Sequence, residues 1–72
     1  MVNEMKIEEL IGGQVNVAKY GGEMPFRVSG TLKQFNENGY WVEFISNSVS
    51  CFIAFQKDKI KSIDDNLILL KN

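Results

Sequence analysis

The chain has 72 residues, of which 44% are hydrophobic and 24% are charged, and its net charge is −1. This length predicts one domain over residues 1–72, and the charge balance argues against a strongly basic module that binds duplex nucleic acid. Cys51 is the only cysteine and there is no histidine, which excludes a disulfide within the chain and disfavours a zinc site. We therefore expect no metal and no cofactor.

The N-terminal segment predicts a short α-helix over residues 4–11. Asn3 is a suitable N-cap, and the spacing of Ile7, Leu10 and Ile11 places them on one helical face. A Gly-Gly pair follows and would end the helix. We expect this helix to pack on, or plug, a sheet.

The same N-terminal segment indicates in which compartment of the cell the protein lies. It reads MVNEMKIEEL, with acidic residues where a signal peptide would need an apolar stretch. The longest apolar runs of the chain are too short to cross a bilayer as a helix. These observations predict a soluble, cytoplasmic protein without a signal peptide.

From residue 14 onward the apolar pattern changes to a period of two, which is typical of half-buried strands. Turn signals interrupt it, notably NENG at residues 36–39 and SNS at residues 46–48, and LILL at residues 67–70 predicts a terminal strand at an edge. Gly30 inside a strand indicates a sharp bend or a close backbone approach. The predicted fold class is mainly β: the helix, then a five- or six-stranded, strongly bent antiparallel barrel over residues 14–70. The residues predicted to face inward are Val15, Val28, Leu32, Val42, Phe44, Ile53 and Phe55.

Two stretches of this pattern resemble the motifs of the Sm-like family, and in particular its Hfq-like members. FRVSGTLKQFN, residues 26–36, is similar to the first Sm motif, with alternating apolar residues around a glycine and then an aromatic and a small polar residue. IAFQKDKIKSI, residues 53–63, is similar to the end of the second motif, although Asp58 stands where Hfq-like proteins carry histidine. SH3-like barrels share much of the same pattern. The resemblance implies a small Sm/SH3-like barrel that binds single-stranded RNA as a homo-oligomer.

Candidate RNA-binding residues follow from this resemblance and from their chemistry. Lys57, Lys59 and Lys61 alternate along the chain and could attract phosphates, or they could protect a solvated strand edge. Phe35 breaks the period of its strand and could stack on a base, with Asn36 bonding the edge of that base. The alternative for Phe35 is a core residue at a β-bulge.

Three further aromatic residues, Tyr20, Trp41 and Phe52, fall at strand ends or on the strand faces opposite the predicted core. Tryptophan and tyrosine dominate the energetics of many interfaces, so we expect a contact surface. For Trp41 and Phe52 we expect an interface between subunits, and the alternative is a platform for a ligand.

No catalytic constellation is visible, because no candidate base accompanies a nucleophile. The sequence therefore predicts a binding protein rather than an enzyme. The alternative to RNA binding is a small protein-binding module, such as a phage-type inhibitor that docks on a host or defence protein. A weaker alternative is a ring that sequesters a nucleotide signal.

Overall fold

The computed structural model describes residues 7–72, which form six strands and two short 3₁₀ turns. In chain order these elements are η1 (Ile7–Leu10), β1 (Gln14–Lys19), β2 (Phe26–Asn36), β3 (Gly39–Ser46), β4 (Val49–Gln56), η2 (Lys57–Lys59), β5 (Ile60–Asp64) and β6 (Leu67–Leu70). The mainly β prediction is confirmed.

The six strands form one sheet in the order β4-β3-β2-β1-β6-β5. All neighbouring strands are antiparallel except β1 and β6, which are parallel, so the prediction of a purely antiparallel arrangement is wrong for this pair. The predicted edge position of residues 67–70 is also wrong, because β6 lies between β1 and β5. All four residues of β6 are apolar: Ile68 and Leu70 are buried in the core, and Leu67 and Leu69 on the other face are half-buried.

The longest strand, β2, changes partner in its middle. It pairs with β1 from Phe26 to Thr31 and with β3 from Thr31 onward. At Gly30 a Cβ atom would overlap the backbone carbonyl of Glu43 and lie 3.0 Å from Val42 Cγ1. The close backbone approach predicted at this glycine is therefore present, and it lets one strand serve both halves of the sheet.

The core lies on one face of the sheet and draws on η1 and on five of the strands. Its buried side chains are Ile7, Val15, Val17, Leu32, Tyr40, Val42, Phe55, Ile68 and Leu70. A single sheet thus supplies all of these residues except Ile7, which comes from η1.

Of the seven residues predicted to face inward, four are buried and three are only half-buried. Those three are Val28, Phe44 and Ile53. Phe44 lies on the expected, core-facing side of β3. It pairs with Cys51 towards the β3–β4 turn, where the core ends. Tyr40, at the other end of β3, is fully buried instead.

The Tyr40 side chain brings a polar atom into this core. Its ring stacks on Phe55 with the ring centroids 6.0 Å apart. Within residues 7–72 its hydroxyl has no hydrogen-bond partner. A buried hydroxyl without a partner costs free energy, which makes this position a sensitive point of the fold.

The predicted N-terminal α-helix is not observed in the described part of the chain. Residues 7–10 form a single 3₁₀ turn, and the predicted cap and first turn lie outside the described residues. Ile7 is buried in the core and Leu10 packs against it half-buried, whereas Ile11 is exposed, so two of the three predicted residues anchor the segment. Gly12 has a φ of 88° and donates from its N–H to the Leu32 carbonyl at 2.8 Å, which fixes the turn against β2.

The two strands at the ends of the sheet order, β4 and β5, do not pair with each other in residues 7–72. The structure is thus an open mixed sheet, and the predicted barrel closure is not observed. Among residues 7–72 each of these strands pairs on one side only, so its other side offers backbone groups to a partner.

Candidate functional site

The turn between β2 and β3 is held by two hydrogen bonds. The Asn38 N–H donates to Asn36 Oδ1 at 2.9 Å, which closes the turn through a side chain. The Lys57 N–H donates to the Asn38 carbonyl at 2.7 Å, which joins the turn to η2. The register of β2 and β3 shifts between Gln34 and Asn36, so Phe35 lies at a bulge.

Phe35 is exposed although it belongs to the longest strand of the sheet. Its side chain is 55% accessible, and its ring covers Gly39, where a Cβ atom would overlap the ring. The ring centroid lies 5.9 Å from that of Trp41, with the planes tilted by 31°. Phe35 is therefore a bulge residue supported on one side and open on the other, rather than part of the core.

Phe35 borders an open depression of about 440 Å³ at this turn. The depression is lined by Phe35, Asn36, Glu37, Asn38, Gly39 and Gln56. An aromatic ring beside three side-chain amides offers a stacking surface together with hydrogen-bond donors and acceptors. This combination suits a flat, polar-edged ring such as a nucleobase.

The charges around this depression are mixed. Lys57 Nζ lies 3.3 Å from Glu8 Oε1, and both side chains are about half exposed. Glu37 lines the depression, and the exposed Asp58 lies in the first turn of η2. An exposed ion pair of this kind is worth about 0–1 kcal/mol, so Lys57 could exchange Glu8 for a phosphate at little cost.

The structure brings together three of the predicted RNA-binding residues and separates the other two. Phe35 and Asn36 share the depression, and Lys57 is bonded to its turn through the backbone. Lys59 lines a different cleft, and Lys61 is exposed on the edge strand β5.

The three predicted interface aromatics occupy three different settings. Tyr20, just after β1, is 60% accessible, and Phe52, on the edge strand β4, is 68% accessible. Trp41 is half-buried, and its Nε1–H donates to Glu43 Oε1 at 3.0 Å. Glu43 Oε2 in turn lies 3.8 Å from Lys33 Nζ, so Trp41 belongs to a polar group on the outer face of the sheet.

An apolar surface that the sequence pattern did not predict lies at the β3–β4 hairpin. Ile45 is 76% accessible, and it shares the outer face of the hairpin with Phe52, which pairs with Glu43; we call these two residues the hairpin patch. Ile45 pairs with Ser50 next to the turn. The sequence did hold one indication of this surface. Ile45 alternates with the core residues of β3 and so lies on the same outer face as Trp41 and Glu43.

No family model matches this chain, and comparisons with curated proteins and with solved structures found no match. The resemblance to the Sm-like family therefore stays a prediction. Among residues 7–72, no helix is long and apolar enough to cross a membrane. In the same part of the chain, no three His, Cys, Asp or Glu side chains are grouped as a metal ion would need.

Proposed function

We propose that this protein binds single-stranded RNA without catalysis, as a homo-oligomer of Sm-like subunits. The observation that carries the proposal is the exposed Phe35 ring, held at a bulge beside the amides of Asn36, Asn38 and Gln56. Stacking of a base on an aromatic ring is worth about 1–3 kcal/mol per base. The amides would then bond the edge of the stacked base, which gives the site its preference among bases.

Phosphate binding in this proposal comes from Lys57. Its backbone is fixed by the bond to the Asn38 carbonyl, while its ammonium group is only paired at the surface with Glu8. Neutralising phosphates releases counterions, so the affinity for RNA falls as salt rises. With Glu37 and Asp58 nearby, we expect the phosphate contribution to be small and stacking to dominate.

Assembly in this proposal uses the two free sheet edges and the hairpin patch. An edge strand offers unpaired backbone groups to another chain, and β4 of one copy could pair with β5 of the next. This contact joins two different surfaces, so repetition would give a ring or an open chain. Phe52 on β4 would lose its exposure in such an assembly.

The test of RNA binding compares Phe35→Ala with Tyr20→Ala. Both aromatics are more than half exposed, but only Phe35 lines the depression. In fluorescence anisotropy with short uridine and adenosine oligomers, Phe35→Ala should weaken binding by about tenfold, as the loss of one stacked base requires. Tyr20→Ala should leave the affinity unchanged. Equal affinities for the two variants would contradict the proposed site.

The test of assembly measures the mass in solution by light scattering. Phe52→Glu places a charge on the proposed contact and should lower the mass, whereas Lys33→Glu on the central strand β2 should not. If the wild-type protein is already monomeric, or if Phe52→Glu keeps the wild-type mass, the proposed assembly is wrong.

A second function, binding to another protein, is favoured by the hairpin patch. Ile45 and Phe52 together expose apolar surface on the outer face of the β3–β4 hairpin, where a protein partner could cover it. A phage-type inhibitor that docks on a host or defence protein would use such a surface. A clean monomer without RNA in light scattering would favour this function, and an oligomer that carries RNA would contradict it.

A further inference from the structure

A second depression, distinct from the one beside Phe35, lies where several strands end together. This lysine cleft has a volume of about 280 Å³ and combines three lysines with an apolar floor. It is lined by Lys19, Phe26, Ile53, Ala54, Phe55, Lys59, Leu70, Lys71 and Asn72. Within the described residues no acidic side chain lines it, in contrast to the mixed charges around Phe35.

The strand register explains why the three lysines meet. The parallel strands β1 and β6 end on the same side of the sheet, where Ala18 pairs with Leu69 and Lys19 follows. Lys71 follows β6, and its N–H donates to the Lys59 carbonyl at 2.8 Å. Residues distant in sequence are thus held together by backbone pairing, which makes their convergence a property of the fold.

The wall of the cleft is fixed on the side of the β1–β2 loop. The Gly21 N–H donates to Asn72 Oδ1 at 3.0 Å. A Cβ atom at Gly21 would overlap the Asn72 amide, so glycine is what allows this contact. The floor is apolar, since Phe55 and Leu70 are buried and Phe26 and Ile53 are half-buried.

We propose that the lysine cleft binds a phosphate monoester on a flat apolar body, of the nucleoside monophosphate class. Three ammonium groups match the double negative charge of a phosphate monoester better than the single charge of a carboxylate. Residues 7–72 give none of the three lysines an acidic partner, so the ligand would supply the opposing charge. The floor with Phe26, Ile53 and Phe55 would cover the base.

The size of the cleft limits this ligand. Pockets for drug-sized molecules measure about 300–1,000 Å³. The lysine cleft lies just below that range, so it suits one small nucleotide rather than a dinucleotide. This binding goes beyond the proposed RNA function, because the cleft and the Phe35 depression share no lining residue.

The experiment titrates the full chain with AMP by NMR, following the backbone amides, and with adenosine and inorganic phosphate separately. AMP should shift the amides around Lys59 and Lys71 and bind more tightly than either fragment. Lys59→Gln and Lys71→Gln should each weaken AMP binding by about tenfold, as the loss of one charge-assisted hydrogen bond requires. Lys61→Gln removes the same charge from an exposed position outside the cleft and should leave binding unchanged.

Three outcomes would overturn the inference. The first is that AMP does not bind, and the second is that AMP and adenosine bind with equal affinity. The third is that Lys61→Gln and Lys71→Gln weaken AMP binding equally, which would indicate non-specific electrostatic attraction. Thermal unfolding checks that the variants are folded, as expected for exposed lysines. Phe35→Ala should leave AMP binding intact, so loss of RNA binding and loss of nucleotide binding can be told apart.

Discussion

Gly30→Ala is expected to destabilise the protein because the added methyl group has no room, not because alanine disfavours the backbone conformation. The added Cβ would overlap the Glu43 carbonyl and approach Val42 Cγ1 to 3.0 Å. A backbone carbonyl cannot rotate away, so β2 and β3 must separate near the Thr31–Glu43 pair. Overpacking costs about 1–3 kcal/mol, and one lost ladder hydrogen bond adds about 0.5–1.5 kcal/mol.

A smaller effect opposes this loss. Alanine lowers the conformational entropy of the unfolded chain, which stabilises the folded state by about 0.4–1 kcal/mol. The net loss is then about 0.5–4 kcal/mol, with a middle value of about 2 kcal/mol, out of a total of about 4–11 kcal/mol expected for a chain of 72 residues. A loss of about 2 kcal/mol would remove roughly a fifth to a half of the free energy of unfolding.

Urea unfolding followed by circular dichroism measures this loss, with Gly13→Ala as the matched control. At Gly13 a Cβ atom would lie 3.4 Å from the Leu10 carbonyl oxygen, which is an ordinary contact. Gly13→Ala should therefore keep or slightly raise the midpoint. If Gly30→Ala unfolded at the same urea concentration as Gly13→Ala with an equal m-value, the close approach of β2 and β3 would be refuted.

Three further predictions concern the core and the charged turn. Tyr40→Phe should raise the free energy of unfolding by about 1–3 kcal/mol, because it removes a buried hydroxyl that has no partner in residues 7–72. Urea unfolding measures this change, and a loss of stability would show that the hydroxyl is hydrogen-bonded. Leu32→Ala should lower the free energy of unfolding by about 2–5 kcal/mol in the same assay, because Leu32 is fully buried. Phe44→Ala should lower it clearly less, because Phe44 is only half-buried. The reverse order would contradict the observed core. Asp58→Asn should tighten RNA binding in fluorescence anisotropy, because it removes a carboxylate near the proposed strand path; unchanged affinity would place the RNA away from η2.

Strand positions were the most predictable part of the fold. Alternating apolar residues and Asn-, Ser- and Gly-rich turns mark elements with a period of two, and the parity of Leu32, Val42 and Phe55 was correct. The parity of Phe44 was also correct, but parity does not tell how far along a strand the core extends. That limit depends on where the facing half of the sheet ends, which is a tertiary property.

The N-terminal helix and the place of β6 were not predicted correctly. An eight-residue helical pattern is too short to form on its own, and the packing of Ile7 and Leu10 together with the bond from the Gly12 N–H decides the local geometry instead. For β6 the sequence did hold a signal. An uninterrupted apolar run such as LILL is typical of an interior strand, whereas an edge strand usually carries polar residues.

The separation of Lys57 from Lys59 has a geometric cause that no period-two interpretation could reveal. Alternate residues share a face in a strand, but η2 is a 3₁₀ turn with about three residues per turn, so residues two apart point in different directions. Lys57 bonds through its backbone to the turn beside Phe35, whereas the carbonyl of Lys59 accepts from Lys71. This short charged segment thus joins two depressions of different charge, one bordered by amides and one by lysines. The proposed base-stacking site and the proposed phosphate-binding site share no lining residue, so we expect that each can be lost by substitution while the other is kept.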